Sequence, residues 1–353
     1  MEPVAVVYHE GISGYDFGPG HPFRSDRFEK FMDLLETHGF LNDPRVSVLE
    51  PEPADDDLLE LIHPQAYIRE VEKRSESYLP LSGDTPLSPS IVEAARLIVG
   101  GSVLTGELVV TGAAGIGDGV GGGLHHAGRG YGGGFCVFND VAVCAQSLID
   151  RHGLERVLIL DSDVHAGNGT MDIFFDEPRV LYVSVHQNPL TIYPGTGFIE
   201  QIGEGEGAGF TVNVPLPLGA GDRCMNLFLD EVFRPLSEEF KPQAIIRNGG
   251  TDPHFMDGLG NLHLTFQGLW EIGKAVSQAA ERAGCGVVDL CCSGYNPDTV
   301  AEGWLAILTG TMGEENPSVE LFPPPGSSAA VFKETGRIIV DVKSHLCEYW
   351  DFC

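Results

Sequence analysis

Five short apolar runs, at 4–8, 157–160, 180–185, 244–247 and 287–290, constrain this chain more than any other feature. They are continuous rather than alternating and too short for helices, the pattern of strands buried on both faces. Segments 141–151, 225–240 and 266–283 instead carry apolar residues at helical spacing. Strands alternating with helices predict an α/β fold, a doubly wound and mostly parallel sheet with helices on both faces, because parallel neighbours need a crossover. Such sheets bind ligands beyond the carboxyl ends of their strands. Chemistry is therefore to be sought in the residues that close each run.

Those residues are polar. The run 157–160 leads into Asp161, Asp163, His165 and Asn168, and 180–185 leads into His186. The run 244–247 leads into Asn248, Asp252 and His254, and 287–290 into Cys291, Cys292 and Tyr295. Alternate residues of an extended segment point the same way, which puts Asp161, Asp163 and His165 initially on one side. A carboxylate and an imidazole two residues apart can grip one metal ion, and Asp252 from another strand can complete the set. Two carboxylates and one imidazole leave a coordination position open, as catalytic zinc requires; iron or manganese would accept the same donors. The competing reading is polar spacing in a loop, and the other strand ends weigh against it.

A second cluster sits in a glycine-rich loop, where Gly121, Gly122, Gly123 and Leu124 precede His125 and His126. Adjacent histidines there have no helical face to pack on. Beside a metal site, one could take a proton from water and return it to a leaving amine. The other could supply positive charge, its ring oriented by a carboxylate such as Asp161. A chance pair or a second metal site would account for the same residues. Tyr295 could donate a hydrogen bond to the oxyanion of a tetrahedral intermediate, although most tyrosines only pack.

Composition narrows the partners. With 51 acidic against 21 basic residues the formal net charge is −30, which repels nucleic acid and attracts cationic substrates such as a lysine-rich tail or a polyamine. Acidity also serves solubility alone. The eight cysteines, Cys136, Cys144, Cys224, Cys285, Cys291, Cys292, Cys347 and Cys353, form no CxxC pair, and several lie in apolar runs. That usage suits a reducing compartment. The first residues lack the basic start and apolar run of a secretory signal, and no stretch approaches the roughly 18 apolar residues of a membrane span. A cytoplasmic protein with neither membrane nor direct nucleic-acid partners is expected.

With these residues in view, the chain resembles the histone deacetylase family, which has the arginase/deacetylase fold. The likeness is collinear from about residue 21 to residue 308. It runs through 63–67, 83–86, the double-histidine loop, 135–140, 161–169 and 193–197, then 250–254, Leu259, Gly260, Gly294 and Tyr295. The resemblance implies an eight-stranded sheet in a single deacetylase domain, 1–353, with its motifs in 4–315; the segment 316–353 has no match in it, and the Pro/Gly/Ser-rich loop 322–328 suggests a C-terminal appendage. It implies zinc ligands at Asp163, His165 and Asp252, proton transfer by His126 beside Asn168, and charge stabilisation by His125 with Asp161. Tyr295 would polarise the acyl carbonyl. Asp84 would hold the substrate backbone, and Gly134, Phe135 and Tyr193 would line a narrow channel for an acyl-lysine stem. Asp161 and the Ser184 hydroxyl would help hold a structural potassium ion.

The implied activity is zinc-dependent hydrolysis of an N-acyl amide, chiefly acetyl-lysine in proteins or peptides, with homo-oligomerisation open. An acylated polyamine is the alternative substrate, and an acetoin-utilisation type of deacetylase another branch. Departures from the family pattern bear on detail. Ala166 replaces a histidine of the metal loop, and Asn168 stands where some members carry aspartate, so it raises the His126 pKa less than a carboxylate would. Cys291, Cys292 and Ser293 replace a glycine-rich lead into Tyr295, which alters the pocket floor. A two-metal, arginase-like hydrolase would need a further bridging aspartate, and Gly167 stands two residues after His165. A non-enzymatic binder of acyl ligands would be expected to have lost Tyr295, His126 or a metal ligand; all are present.

Overall fold

The computed structural model describes residues 3–351, so Cys353 and the extreme ends of the expected domain lie outside the described residues. All five apolar runs form strands, within eight: β1 (Val4–Val7), β2 (Val46–Leu49), β3 (Ile116–Val120), β4 (Val157–Asp161), β5 (Val180–Gln187), β6 (Thr211–Leu216), β7 (Ala244–Gly249) and β8 (Val287–Cys291). They make a single open parallel sheet in the order β2-β1-β3-β8-β7-β4-β5-β6, flanked by helices. The expected α/β architecture is met. The three strands without an apolar run have local reasons. β2 and β6 are edges; β2 is largely exposed, and β6 tolerates Pro215, which has no N–H to give a ladder. β3 carries two glycines and Asp118.

Chain contacts group the residues into two compact units. One comprises the chain up to Leu154 with Asn168–Ile173 and Val288–Cys292; the other comprises Glu155–Gly167, Phe174–Val287 and the chain from Ser293 onward. In the first, the helix Pro89–Val110 packs on β1, β3 and the helix Asp140–His152. Ser88 caps it by accepting from the Ile91 N–H at 3.3 Å, and Pro89 opens its first turn, where no N–H is needed. A Cβ on Gly106 would come within 2.9 Å of Cys144 Sγ, so glycine allows these two helices to meet.

In the second unit, residues such as Leu160, Val183, Val214, Phe228, Leu269 and Ile307 form one fully buried core. The helix Phe266–Ala283 starts where Thr265 Oγ1 accepts from the Gln267 and Gly268 N–H groups, and ends at Gly284 with a left-handed φ of +70°. The helix Ala329–Leu346 near the C-terminus adds Ile339, Val342 and Leu346 to that core, followed by Trp350, whose indole donates to the Gly209 carbonyl at 2.7 Å. Among the described residues no helix is long and apolar enough to cross a membrane.

Candidate metal centre and acid–base cluster

Parallel register brings three strands of the second unit to a common end: Asp161 on β4 lies level with Ser184 on β5 and Asn248 on β7. The loops that follow then close in. Ser162 N–H donates to the Asn248 carbonyl at 2.9 Å. Gly249 has φ +127°, and a Cβ there would sit 2.7 Å from Asp163 N; on Gly250 it would sit 2.0 Å from Ser293 O. Two glycines are therefore what lets these backbones approach and carry Asp252 inward. As a result Asp163, His165 and Asp252 bring ligand atoms within 4.8 Å of one another, all buried.

His165 Nδ1 lies 3.0 Å from Asp163 Oδ1 and 3.3 Å from Asp252 Oδ2. Asp252 Oδ1 accepts from Ser293 Oγ at 2.8 Å and Val164 N at 3.3 Å. Its Oδ2 is buried and, although at ion-pair distance from His165, has no aligned hydrogen-bond donor. Burial disfavours a charged His165, but hydrogen bonds and charge from Asp163 and Asp252 outweigh it and raise the ring to about 10. Burial first, then repulsion from Asp163, pushes Asp252 up to about 8. Two buried carboxylates thus demand a positive charge between them. Two oxygens, one imidazole nitrogen and an unsatisfied Oδ2 fit the donor preferences of zinc.

The surrounding groups hold these ligands in place. Asp161 Oδ2 accepts from the Tyr182 hydroxyl at 2.8 Å, and its Oδ1 from Asp163 N at 3.3 Å. Ser184 Oγ and His186 Nδ1 are 2.8 Å apart, and His186 Nε2 meets the Gly197 carbonyl at 2.9 Å, bracing the loop that carries Tyr193. Tyr193 itself is 47% exposed. His254 is buried, stacked on Phe266 with its Nε2 3.0 Å from Glu320, so it turns to the C-terminal segment. The Tyr295 backbone N–H donates to Asp257 Oδ2 at 2.6 Å, and that of Asn296 at 3.3 Å. Sequence reasoning missed Asp257 and the role of Ser293; only their nearness to Leu259 and Tyr295 in the chain pointed there.

The first unit holds the double-histidine loop from two sides. The buried Asp140 carboxylate accepts from Gly123 N at 2.9 Å, Leu124 N at 2.7 Å and Ser102 Oγ at 2.5 Å. Asn139 caps its helix through Ala142 N at 2.9 Å, while its amide donates to the Ala127 carbonyl at 2.8 Å and Thr170 Oγ1 at 3.0 Å. His63 accepts from Asn139 N at 3.0 Å and donates to the Arg129 carbonyl at 3.1 Å; burial lowers its pKa to about 4, so it is neutral. Within this frame the Nε2 atoms of His125 and His126 are 3.2 Å apart, and His126 Nδ1 lies 2.8 Å from Asn168 Oδ1. Asp161, the partner expected for His125, belongs to the other unit.

Asp84 Oδ1 accepts from Ser82 Oγ, from Thr85 Oγ1 at 3.0 Å and from Gly134 N at 3.3 Å. Gly134 and Phe135 form a two-residue hairpin turn, both at positive φ (+55° and +69°), with Gly133 and Cys136 exchanging backbone bonds of 3.1 and 3.0 Å. A phenylalanine in that conformation costs about 1 kcal/mol or more. It is held by the Tyr15 hydroxyl on the Phe135 carbonyl (2.6 Å) and by Thr85 Oγ1 accepting from Phe135 N (3.0 Å).

Residues 21–311 match the model of the histone deacetylase domain. The chain belongs to the histone deacetylase family. It is 35% identical to a probable deacetylase of Archaeoglobus fulgidus over 98% of both chains. It is 33% identical to histone deacetylase 10, chloroplastic, of Oryza sativa subsp. japonica over 92% of this chain and 77% of the relative. The acetoin utilization protein AcuC of Bacillus subtilis is 33% identical over 80% of this chain and 74% of its own. The crystal structure of the HDA15 HD domain superposes with a TM-score of 0.87 at 27% identity, covering 99% of this chain and 95% of that one. As a histone deacetylase family member the chain is a deacetylase, a hydrolase of amide bonds that acts on acetylated substrates, in a family that generally uses zinc.

Proposed function

We propose that this histone deacetylase family member uses zinc to remove acetyl groups from lysine side chains of proteins or peptides. The observation that carries this reading is the convergence of Asp163, His165 and Asp252 on one buried point, with Asp252 Oδ2 approached, among the described residues, only by the His165 ring, at 3.3 Å and without good alignment. These three residues would hold the ion; bound there, zinc acidifies water and polarises a carbonyl. The same donors would also accept iron. Asp161 and Ser184, buried and level on adjacent strands, would contribute to a structural potassium site.

The chain's own groups divide the remaining work. His126 serves as general base for the attacking water and then gives the proton to the departing lysine amine. His125 supplies positive charge. The Tyr295 hydroxyl donates to the acyl oxygen as negative charge gathers there, its loop anchored by Asp257. Asp84 accepts from the substrate backbone, and Gly134, Phe135 and Tyr193 face the aliphatic stem, whose charge acylation has removed. The net charge of −30 favours substrates with cationic flanks. It favours an acetylated polyamine as well, the second reading. Cysteine usage, with no CxxC pair and several thiols inside apolar runs, supports a reducing compartment such as the cytoplasm.

The test is acetate release by the zinc-loaded protein from an acetyl-lysine peptide and from acetylspermidine. Faster release from the peptide, with metal and activity lost together in Asp163→Ala, supports the proposal. Preference for the polyamine moves the chain to small-molecule deacylation. No release from either substrate by protein with a full complement of zinc refutes both.

A further inference from the structure

Four hydrogen bonds in the first unit line up end to end. His125 Nε2 lies 3.2 Å from His126 Nε2, and His126 Nδ1 lies 2.8 Å from Asn168 Oδ1. Asn168 Nδ2 donates to the Tyr131 hydroxyl oxygen at 3.1 Å, and that hydroxyl donates to Asp172 Oδ2 at 3.2 Å. The chain runs from two buried histidines to a tyrosine and an aspartate at the surface.

The direction of such a chain is set at its end. An ionised carboxylate only accepts, so Tyr131 must spend its one proton on Asp172 and offer its oxygen lone pair to Asn168. Asn168 must then present its NH2 to Tyr131 and its carbonyl oxygen to His126. That oxygen only accepts, so His126 must carry its proton on Nδ1. Its Nε2 then carries the lone pair and accepts from His125 Nε2–H. Burial and the neighbouring Asp172 both raise the Tyr131 pKa, so the hydroxyl keeps the proton it donates.

We propose that Tyr131 and Asp172 are positioning residues that fix the tautomer of His126, holding its Nε2 unprotonated as the basic nitrogen. A neutral asparagine needs this help where a carboxylate would not. An aspartate at 168 presents an acceptor oxygen to the ring whichever way it turns, but an asparagine can turn its NH2 group to His126 instead. The inference deepens the deacylase reading and rests on it for its kinetic consequence; the tautomer itself does not depend on that reading.

Tyr131→Phe is the clean perturbation. The ring lies over Gly128, where a Cβ would come 2.3 Å from it, so phenylalanine keeps the packing and removes only the hydroxyl. In protein labelled with 15N at histidine, the wild-type His126 should show a protonated Nδ1 and an unprotonated Nε2. Tyr131→Phe and Asp172→Ala should each mix in the opposite tautomer. On an acetyl-lysine peptide, each should lower kcat about fivefold, the worth of one neutral hydrogen bond, with KM unchanged. In an Asn168→Asp background, Tyr131→Phe should change kcat by less than about twofold, because the orienting task is gone.

A wild-type His126 protonated on Nε2, or a tautomer indifferent to both substitutions, overturns the proposal. So does an equal kcat loss from Tyr131→Phe in the Asn168→Asp background. If the wild type releases no acetate, the deacylase reading falls, while the 15N spectra still decide this inference.

Discussion

Replacing Ser293 by alanine removes one hydroxyl from the proposed metal centre and nothing else from its frame. The Ser293 carbonyl, which accepts from Thr251 N at 3.0 Å and the Trp304 indole at 2.8 Å, stays in the alanine variant, so the loop keeps its backbone anchors. What goes is the Ser293 Oγ donor at 2.8 Å to Asp252 Oδ1, leaving that oxygen only Val164 N at 3.3 Å. A hydrogen bond to a charged group contributes about 2 kcal/mol, which is about thirtyfold in a dissociation constant and within the range for groups that orient metal ligands. The sign is secured by protonation. Burial already lifts Asp252 to about 8; without the hydroxyl the carboxylate is less stabilised still, so protons compete harder with the metal. Equilibrium competition against a chromophoric zinc chelator near neutral pH should give a dissociation constant for Ser293→Ala about thirtyfold weaker than wild type. The deficit should widen as pH falls through about 8 and level off below it. A constant within twofold of wild type, from protein with an unchanged circular dichroism spectrum, would refute the idea that Ser293 tunes the ligand.

Two further outcomes follow from the same geometry. Tyr295→Phe should retain its metal but lose about 10²- to 10³-fold in kcat, read as acetate release alongside zinc content; unchanged turnover removes the phenol from the reaction. His63, fully buried, has its pKa lowered from 6.5 to about 4, so the unfolded chain binds more protons between those values. Stability present above 6.5 is lost as pH falls towards 4, by up to about 3 kcal/mol, and His63→Gln should flatten that part of a urea-unfolding profile. An identical pH slope in the variant would show that another group controls acid unfolding.

What the sequence discloses depends on the range over which a residue acts. β1, β4, β5, β7 and β8 are legible because a strand buried on both faces must be apolar throughout. β2 and β6 are not, since an edge can expose Val48 or accept Pro215, and β3 hides behind glycines. Asp163, His165 and Asp252 could be singled out as donors because few residue types can ligate a metal. Their supports could not, for nothing local marks them. Ser293 reaches Asp252 across 41 residues, Tyr295 reaches Asp257 across 38, and Asn168 reaches Tyr131 across 37. A serine, an aspartate or a tyrosine at such a distance reads as ordinary until folding has closed the loops.

The buried acids show how the folded chain separates anchor from ligand. Asp140 is fully buried and its pKa is raised by that burial, yet both its oxygens are met: Oδ1 by Leu124 N, and Oδ2 by Gly123 N and Ser102 Oγ. Asp257 is likewise raised by burial and likewise met on both sides, by Leu259 N on Oδ1 and by Tyr295 and Asn296 N on Oδ2. Each ties down a loop and has no oxygen left over for a ligand. Asp252 differs in one respect: its Oδ1 is engaged by Ser293 and Val164 while its Oδ2 has no aligned donor. A buried carboxylate oxygen left so costs about 1–3 kcal/mol or more unless something positive meets it. Asp163 adds a second negative charge beside it, so the deficit grows where the three side chains converge. The uneven distribution of donors at the point where Asp163, His165 and Asp252 converge, rather than burial or acidity alone, supports the proposal that this aspartate receives a cation.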